Sequence, residues 1–270
     1  MDRSPLVHGQ FYPADPEELR RQVDSFLARA DPQASGRTLL AMVPHAGYPY
    51  SGAIAGATLG QARLAERIVL LGPNHTGRGA RLALWPDGAW RFPGASLRVD
   101  IGLAAALSEA APVLSADREA HLGEHSLEVI LPFLHRLNPA TTIVPIAVAE
   151  PRLDVLLELG KALAAALRQQ AEPVSLVVSS DMSHFISHTE ATRRDRLALD
   201  CIAALDAQAL FQTVRRHNIT MCGVLPMTVG IAACHALGAT SATITGYATS
   251  AQASGDFDRV VGYAGALVQQ

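Results

Sequence analysis

The chain has 270 residues, 49% hydrophobic and only 17% charged, and its 22 basic and 25 acidic side chains leave a net charge of −3. This composition excludes a disordered chain, which needs low hydrophobicity and high net charge, and it offers no basic surface to nucleic acid. Three cysteines cannot build a disulfide framework and fit a reducing compartment, while ten histidines are the one unusual count.

The opening MDRSPLVHGQFYPAD lacks an apolar run, so no signal peptide and a cytoplasmic location are expected. Within it, His8-Gly9-Gln10-Phe11-Tyr12-Pro13 reads as an ordered arm. Helical patterns follow at Pro16–Ala30, Ser51–Ala62, Ile101–Ala110, Ser126–Leu137, Leu153–Gln170, Thr192–Leu205 and Pro226–Leu237. Between them, Thr38–Val43, Arg67–Leu71, Thr142–Val148 and Val174–Val178 are continuously apolar, as strands are when helices cover both faces of a sheet. Ala80–Leu84 and the residues up to Pro93 read as an excursion with short strands of its own. Thr240–Thr249 and Arg259–Val268 read as two late strands, plausibly antiparallel.

The alternation predicts an α/β protein, and evenly spread Pro/Gly punctuation favours one domain over residues 1–270. From His217 to Gly255, 39 residues carry no Asp, Glu, Lys or Arg. The apolar core of that stretch, Val224–Leu237, is shorter than the ~20 residues a spanning helix needs, so a buried helix is expected rather than a membrane segment.

Three predicted strands end alike. Thr38–Val43 runs into Pro44-His45-Ala46-Gly47, Arg67–Leu71 into Gly72-Pro73-Asn74-His75, and Val174–Val178 into Ser179-Ser180-Asp181-Met182-Ser183-His184. In open α/β sheets, ligands bind beyond the carboxyl ends of the strands. A single loop histidine is ordinarily solvated or packed, but His45, His75 and Asp181/His184 at equivalent strand ends argue for convergence on a site. Cys222, in Thr220-Met221-Cys222-Gly223 just ahead of the uncharged helix, fits a metal ligand, a nucleophile or a small buried hydrophobe. In Gly123-Glu124-His125-Ser126-Leu127-Glu128, helix capping accounts for Ser126 and Glu128 but leaves His125 unexplained.

Two imidazoles with one anionic ligand leave open positions on a divalent ion, and a thiolate in the set admits copper, zinc or iron. No Gly-x-Ser-x-Gly elbow or phosphate-cradling glycine loop is present, although Cys222 with a histidine base also fits a thiol enzyme.

Across nearly its whole length the chain resembles the MEMO family. The resemblance is carried by HGQFYPAD near the start, PHAGYPYSG at 44–52, LLGPNHTG at 70–77, GEHSLEVILPFL at 123–134, VVSSDMSHF at 177–185, MCG at 221–223 and GYAGALV at 262–268. It implies a relative of class III extradiol ring-cleaving dioxygenases, with a central mixed, mostly parallel sheet flanked by helices. It also implies His45, His75 and Cys222 as ligands of iron, most naturally Fe(II), or of copper or zinc, with His184, His125 and Asp181 as catalytic groups around the same cleft. The substrate would be a small molecule or peptide. AMMECR-type and radical-SAM proteins, the AmmeMemoRadiSam grouping, are the implied companions, with no nucleic acid and no membrane. Through eukaryotic members, the same resemblance also implies a non-catalytic phosphopeptide-binding or metal-handling module. Ring-cleaving relatives use a carboxylate where this chain offers Cys222, and sulfur is softer and oxidisable.

Overall fold

In a computed structural model, which describes residues 1–31 and 36–270, the chain forms a mixed sheet with helices on both faces. In chain order the strands are β1 (Thr38–Val43), β2 (Arg67–Pro73), β3 (Leu82–Leu84), β4 (Ala89–Phe92), β5 (Ala95–Val99), β6 (Ser115–Ala116), β7 (Thr142–Val148), β8 (Val174–Ser179), β9 (His184–Ile186), β10 (Thr243–Thr249) and β11 (Val260–Gln269). The helices are α1 (Pro16–Leu27), α2 (Tyr48–Gln61), α3 (Ile101–Ala110), α4 (Glu119–Leu122), α5 (Leu131–Leu137), α6 (Leu153–Arg168), α7 (His188–Ala203), α8 (Ala207–Arg216), α9 (Val224–Ala236) and α10 (Ala251–Ser254).

The centre of the sheet is the parallel set β1-β8-β2-β7, flanked by antiparallel β11 and β10 on one side and antiparallel β3 on the other. Successive residues of β1 explain its unbroken apolarity. Leu40 and Met42 enter the core shared with α6 and α9, whereas Ala41 and Val43 enter the core shared with α2 and α5. The late pair β10–β11 is antiparallel, as its alternation anticipated, and the 80–93 excursion supplies β3 and β4, with β5 following. The uncharged stretch yields the buried helix α9 followed by β10. Among the described residues, no helix is long and apolar enough to cross a membrane.

Side-chain caps set four of the helix starts. Asp15, Asp100, Ser187 and Asp206 each accept the backbone N–H three residues on, at the head of α1, α3, α7 and α8. Two readings need correction. Ser126–Leu137 is not one helix: a 3-10 turn at Glu128–Ile130 leads into α5, because Glu124 and Glu128 are used for other bonds than capping. Helix α8 was absent from the expected elements, although Asp206 and the buried Ala207, Leu210, Phe211 and Val214 mark it at helical spacing.

Candidate metal centre

Because β8 lies between β1 and β2, loops leaving the carboxyl ends of the outer two must reach across the end of the middle one. Ser179, the last residue of β8, fills that gap. Its hydroxyl donates to the Ser126 carbonyl at 2.8 Å and also lies 2.6 Å from His45 Nδ1. A hydroxyl has one proton, and a carbonyl can only accept, so Nδ1 is the donor in the second bond. This tautomer leaves the lone pair of His45 on Nε2. The backbone of the same residue is fixed by Asp181, whose Oδ1 accepts the His45 N–H at 2.8 Å.

His75 is prepared in the same sense by a different partner. Both oxygens of Glu124 serve it, one accepting the backbone N–H at 2.5 Å and the other facing Nδ1 at 3.0 Å. Glu124 also accepts the Ser126 N–H at 2.8 Å. Burial opposes charge on this carboxyl, but the His75 ring and the backbone donors win and hold it down at about 2. The ionised carboxylate accepts a hydrogen bond from Nδ1–H of His75, which leaves Nε2 as the nitrogen free to ligate. A carboxylate behind an imidazole is the usual way to orient a metal-ligating histidine.

His125 completes a triangle of rings. It stacks on His75 with centroids 5.2 Å apart and 18° between planes, and it meets His45 edge-on at 5.6 Å. His45 and His75 are themselves 5.4 Å apart. One ring nitrogen from each lies within 4.8 Å of the others, so the three histidines can hold a metal ion. Burial pushes His45 well below its ordinary pKa, with help from the other two rings, and lowers His125 as well. Burial also opposes charge on His75, yet Glu124 raises its pKa. Two of the three rings are therefore neutral and ready to donate a lone pair, and the third carries its proton to higher pH.

Cys222 borders this triangle on the His45 side and is not one of the three mutually close donors. Its Sγ is 3.4 Å from His45 Nε2 and accepts the Asp181 N–H at 3.2 Å. The approach depends on Gly223, where a Cβ would collide with the Ser180 side chain and the Ser179 carbonyl. Gly72 does the same for the β2 end, where a Cβ would strike Leu127. Burial raises the pKa of the Cys222 thiol strongly, and the nearby Asp181 carboxylate adds to that effect.

The remaining expected groups divide. Asp181 is buried against the His45 backbone, and burial raises its pKa. His184 stands outside the three-ring triangle, its Nδ1 donating to the Thr220 carbonyl at 2.8 Å. Sequence reading did not single out Ser179, Glu124 or Phe11, whose ring packs edge-on against His125 at 4.9 Å. Ser179 and Glu124 both lie in segments that carry the family resemblance, VVSSDMSHF and GEHSLEVILPFL, and that was their signal. Glu128 is no cap: it is buried against Arg3 at 2.6 Å.

A family model described as "Memo-like protein" matches residues 3–267. The chain belongs to the Memo family. A MEMO1 family protein of Methanopyrus kandleri is 40% identical over 98% of this chain and 98% of its own length. One from Aquifex aeolicus is 38% identical over the same shares. An uncharacterized protein from Escherichia coli K12 has the same fold, with a TM-score of 0.58 at 14% identity, covering 84% of this chain and 99% of that one. In this Memo protein the family segments PHAGYPYSG, LLGPNHTG, GEHSLEVILPFL, VVSSDMSHF and MCG bring His45, His75, His125, Ser179, Asp181 and Cys222 to one end of the parallel sheet.

Proposed function

We propose that this protein is a metal-dependent oxidoreductase of the dioxygenase type, acting in the cytoplasm as a single domain over residues 1–270 on a small molecule or peptide. The observation that carries the reading is the shared preparation of His45 and His75. Each has Nδ1 committed to a hydrogen bond and Nε2 turned toward the other donors. Cys222 would supply an anionic ligand once a bound metal displaces its proton, and His125 is the third ring beside His45 and His75. This donor set fits Fe(II) first, with copper or zinc as alternatives. When bound, the metal would supply a Lewis-acidic and redox-active position with room for a substrate.

The chain's own residues do the rest. Ser179 and Glu124 hold two rings in one tautomer. His125 sits beside them with a pKa lowered by burial, so it is a neutral acceptor for a substrate proton. Asp181 fixes the backbone of His45 and the position of the Cys222 sulfur through its N–H. His184, its Nδ1 spent on Thr220, offers Nε2 as a second proton carrier.

A thiol enzyme without metal has one observation in its favour, the 3.4 Å contact between Cys222 and His45. Against it, burial holds the thiol protonated, whereas a nucleophile needs the thiolate.

The test is anaerobic reconstitution with Fe(II), copper or zinc, elemental analysis, and oxygen-consumption assays on catechols and peptides, with His45→Ala and Cys222→Ser alongside. One equivalent of metal in the wild type, lost in both variants together with turnover, is the expected result. Metal binding without turnover would leave a metal-handling or phosphopeptide-binding module, together with AMMECR-type or radical-SAM companions, as the better account. No metal uptake, with rapid alkylation of Cys222 that zinc does not prevent, would replace the metal reading with the thiol one.

A further inference from the structure

We infer that the amino-terminal arm, residues 1–12, is a positioning element of the metal centre, with Arg3 and Phe11 setting the orientation of its donors. The inference rests on the metal-binding reading above. Arg3 is fully buried and spends its guanidinium on one loop. Nε donates to the His121 carbonyl at 3.0 Å, Nη2 to the Glu124 carbonyl at 2.6 Å and Nη1 to the Glu128 carboxylate at 2.6 Å. The group lies 4.5 Å over the Trp90 ring. One side chain thus fixes the whole span that carries Glu124 and His125.

The arm is held in return by Glu128, which accepts the N–H groups of Leu6 and Val7 and the Tyr12 hydroxyl at 2.7 Å. Its far end reaches the loop that carries His45 and the His125 ring itself. The Phe11 carbonyl accepts the N–H of Tyr48, first residue of α2 and three beyond His45, at 2.7 Å. The Phe11 ring limits the swing of His125, and Glu124, pinned by Arg3, grips His75.

Stability alone is a weak reason for this arrangement. Replacing a buried ion pair by apolar residues of similar volume is often neutral or stabilising. A guanidinium, however, can serve three acceptors in fixed directions, which a lysine cannot. Orientation is what the pair supplies.

Co(II) titration of the full-length protein, reading both affinity and visible absorption, tests this in Arg3→Lys and Phe11→Ala, with Arg20→Ala on the outer face of α1 as control. Arg3→Lys should weaken Co(II) binding by up to about tenfold, the low end of the cost of losing an outer partner such as Glu124, which Arg3 holds by its carbonyl. Phe11→Ala should change the absorption envelope while the apo protein still melts cooperatively. Wild-type affinity and spectrum in both variants would overturn the inference. Should Arg3→Lys fail to fold, Phe11→Ala decides by the same criterion. Failure of the wild type to bind Co(II), Fe(II), copper or zinc is a different result, which removes the metal reading and the inference together.

Discussion

Glu124 and Glu128 lie one helical turn apart in sequence and both are buried, yet they are satisfied by different kinds of partner. Glu124 accepts from the His75 ring and two backbone amides. Glu128 accepts from the Arg3 guanidinium, the Tyr12 hydroxyl and two backbone amides. A guanidinium is charged at every accessible pH, so the second cluster is permanent. An imidazole changes charge near neutrality, so the first can trade a proton for a metal. One loop therefore carries a fixed anchor and an exchangeable one.

The largest expected effect comes from breaking the fixed anchor. Arg3→Met leaves the Glu128 carboxylate buried without its cation, which costs about 3–5 kcal/mol. Urea denaturation of the apo protein should show that loss as a lower midpoint at unchanged slope, and Glu128→Gln in the same background should recover part of it. A midpoint within error of wild type would mean that Glu128 is neutral in the fold and that the two carboxylates do not differ as argued.

The exchangeable anchor should reveal itself through pH. Glu124 falls from an ordinary 4.5 to about 2, so its contribution is present above ~4.5 and is lost as pH falls toward 2. The His75 pKa is raised above 6.5, so its contribution is complete below ~6.5 and is lost as pH rises through the folded-state value. These are the two ends of one interaction and count once, and the backbone N–H groups of His75 and Ser126 share in holding Glu124 down, so the ring carries only part of the effect. Melting of apo wild type and Glu124→Gln should differ most between about pH 4.5 and 6.5 and converge on either side. A difference that does not shrink as pH rises beyond 6.5 would show that the His75 charge plays no part.

How much of this could be read from the residues follows from where each signal lies. β1 and β7 were readable to the residue, and the ends of β2 and β8 to within two, because apolar runs buried on both faces stop abruptly at polar residues. The same stops located His45, His75, Asp181 and His184. His125 stood out because capping could not account for it, and it joins the triangle of rings. Glu124 and Glu128 could not be separated in sequence, since two acids near a helix start look alike until the partners arrive from residues 3 and 75. Ser179 was likewise hidden, because its role depends on having one hydroxyl proton and two claimants from distant loops. Helix α8 is legible on the same terms, from Asp206 as its cap and from Ala207, Leu210, Phe211 and Val214 at helical spacing.

The smallest effect separates the hydrogen bonds of the fixed anchor from its charge. Tyr12→Phe removes one donor to Glu128 and keeps the ring that packs on Tyr48. Glu128 retains Arg3 and the amides of Leu6 and Val7, so the carboxylate stays largely satisfied. A hydrogen bond to a charged group is worth about 1.5–3 kcal/mol, and a site with three donors left belongs at the lower end. Urea midpoints should therefore place Tyr12→Phe between wild type and Arg3→Met. If Tyr12→Phe costs as much as Arg3→Met, the anchor is held by its hydrogen-bond network as a unit, and the permanence of the guanidinium charge is not what distinguishes Glu128 from Glu124.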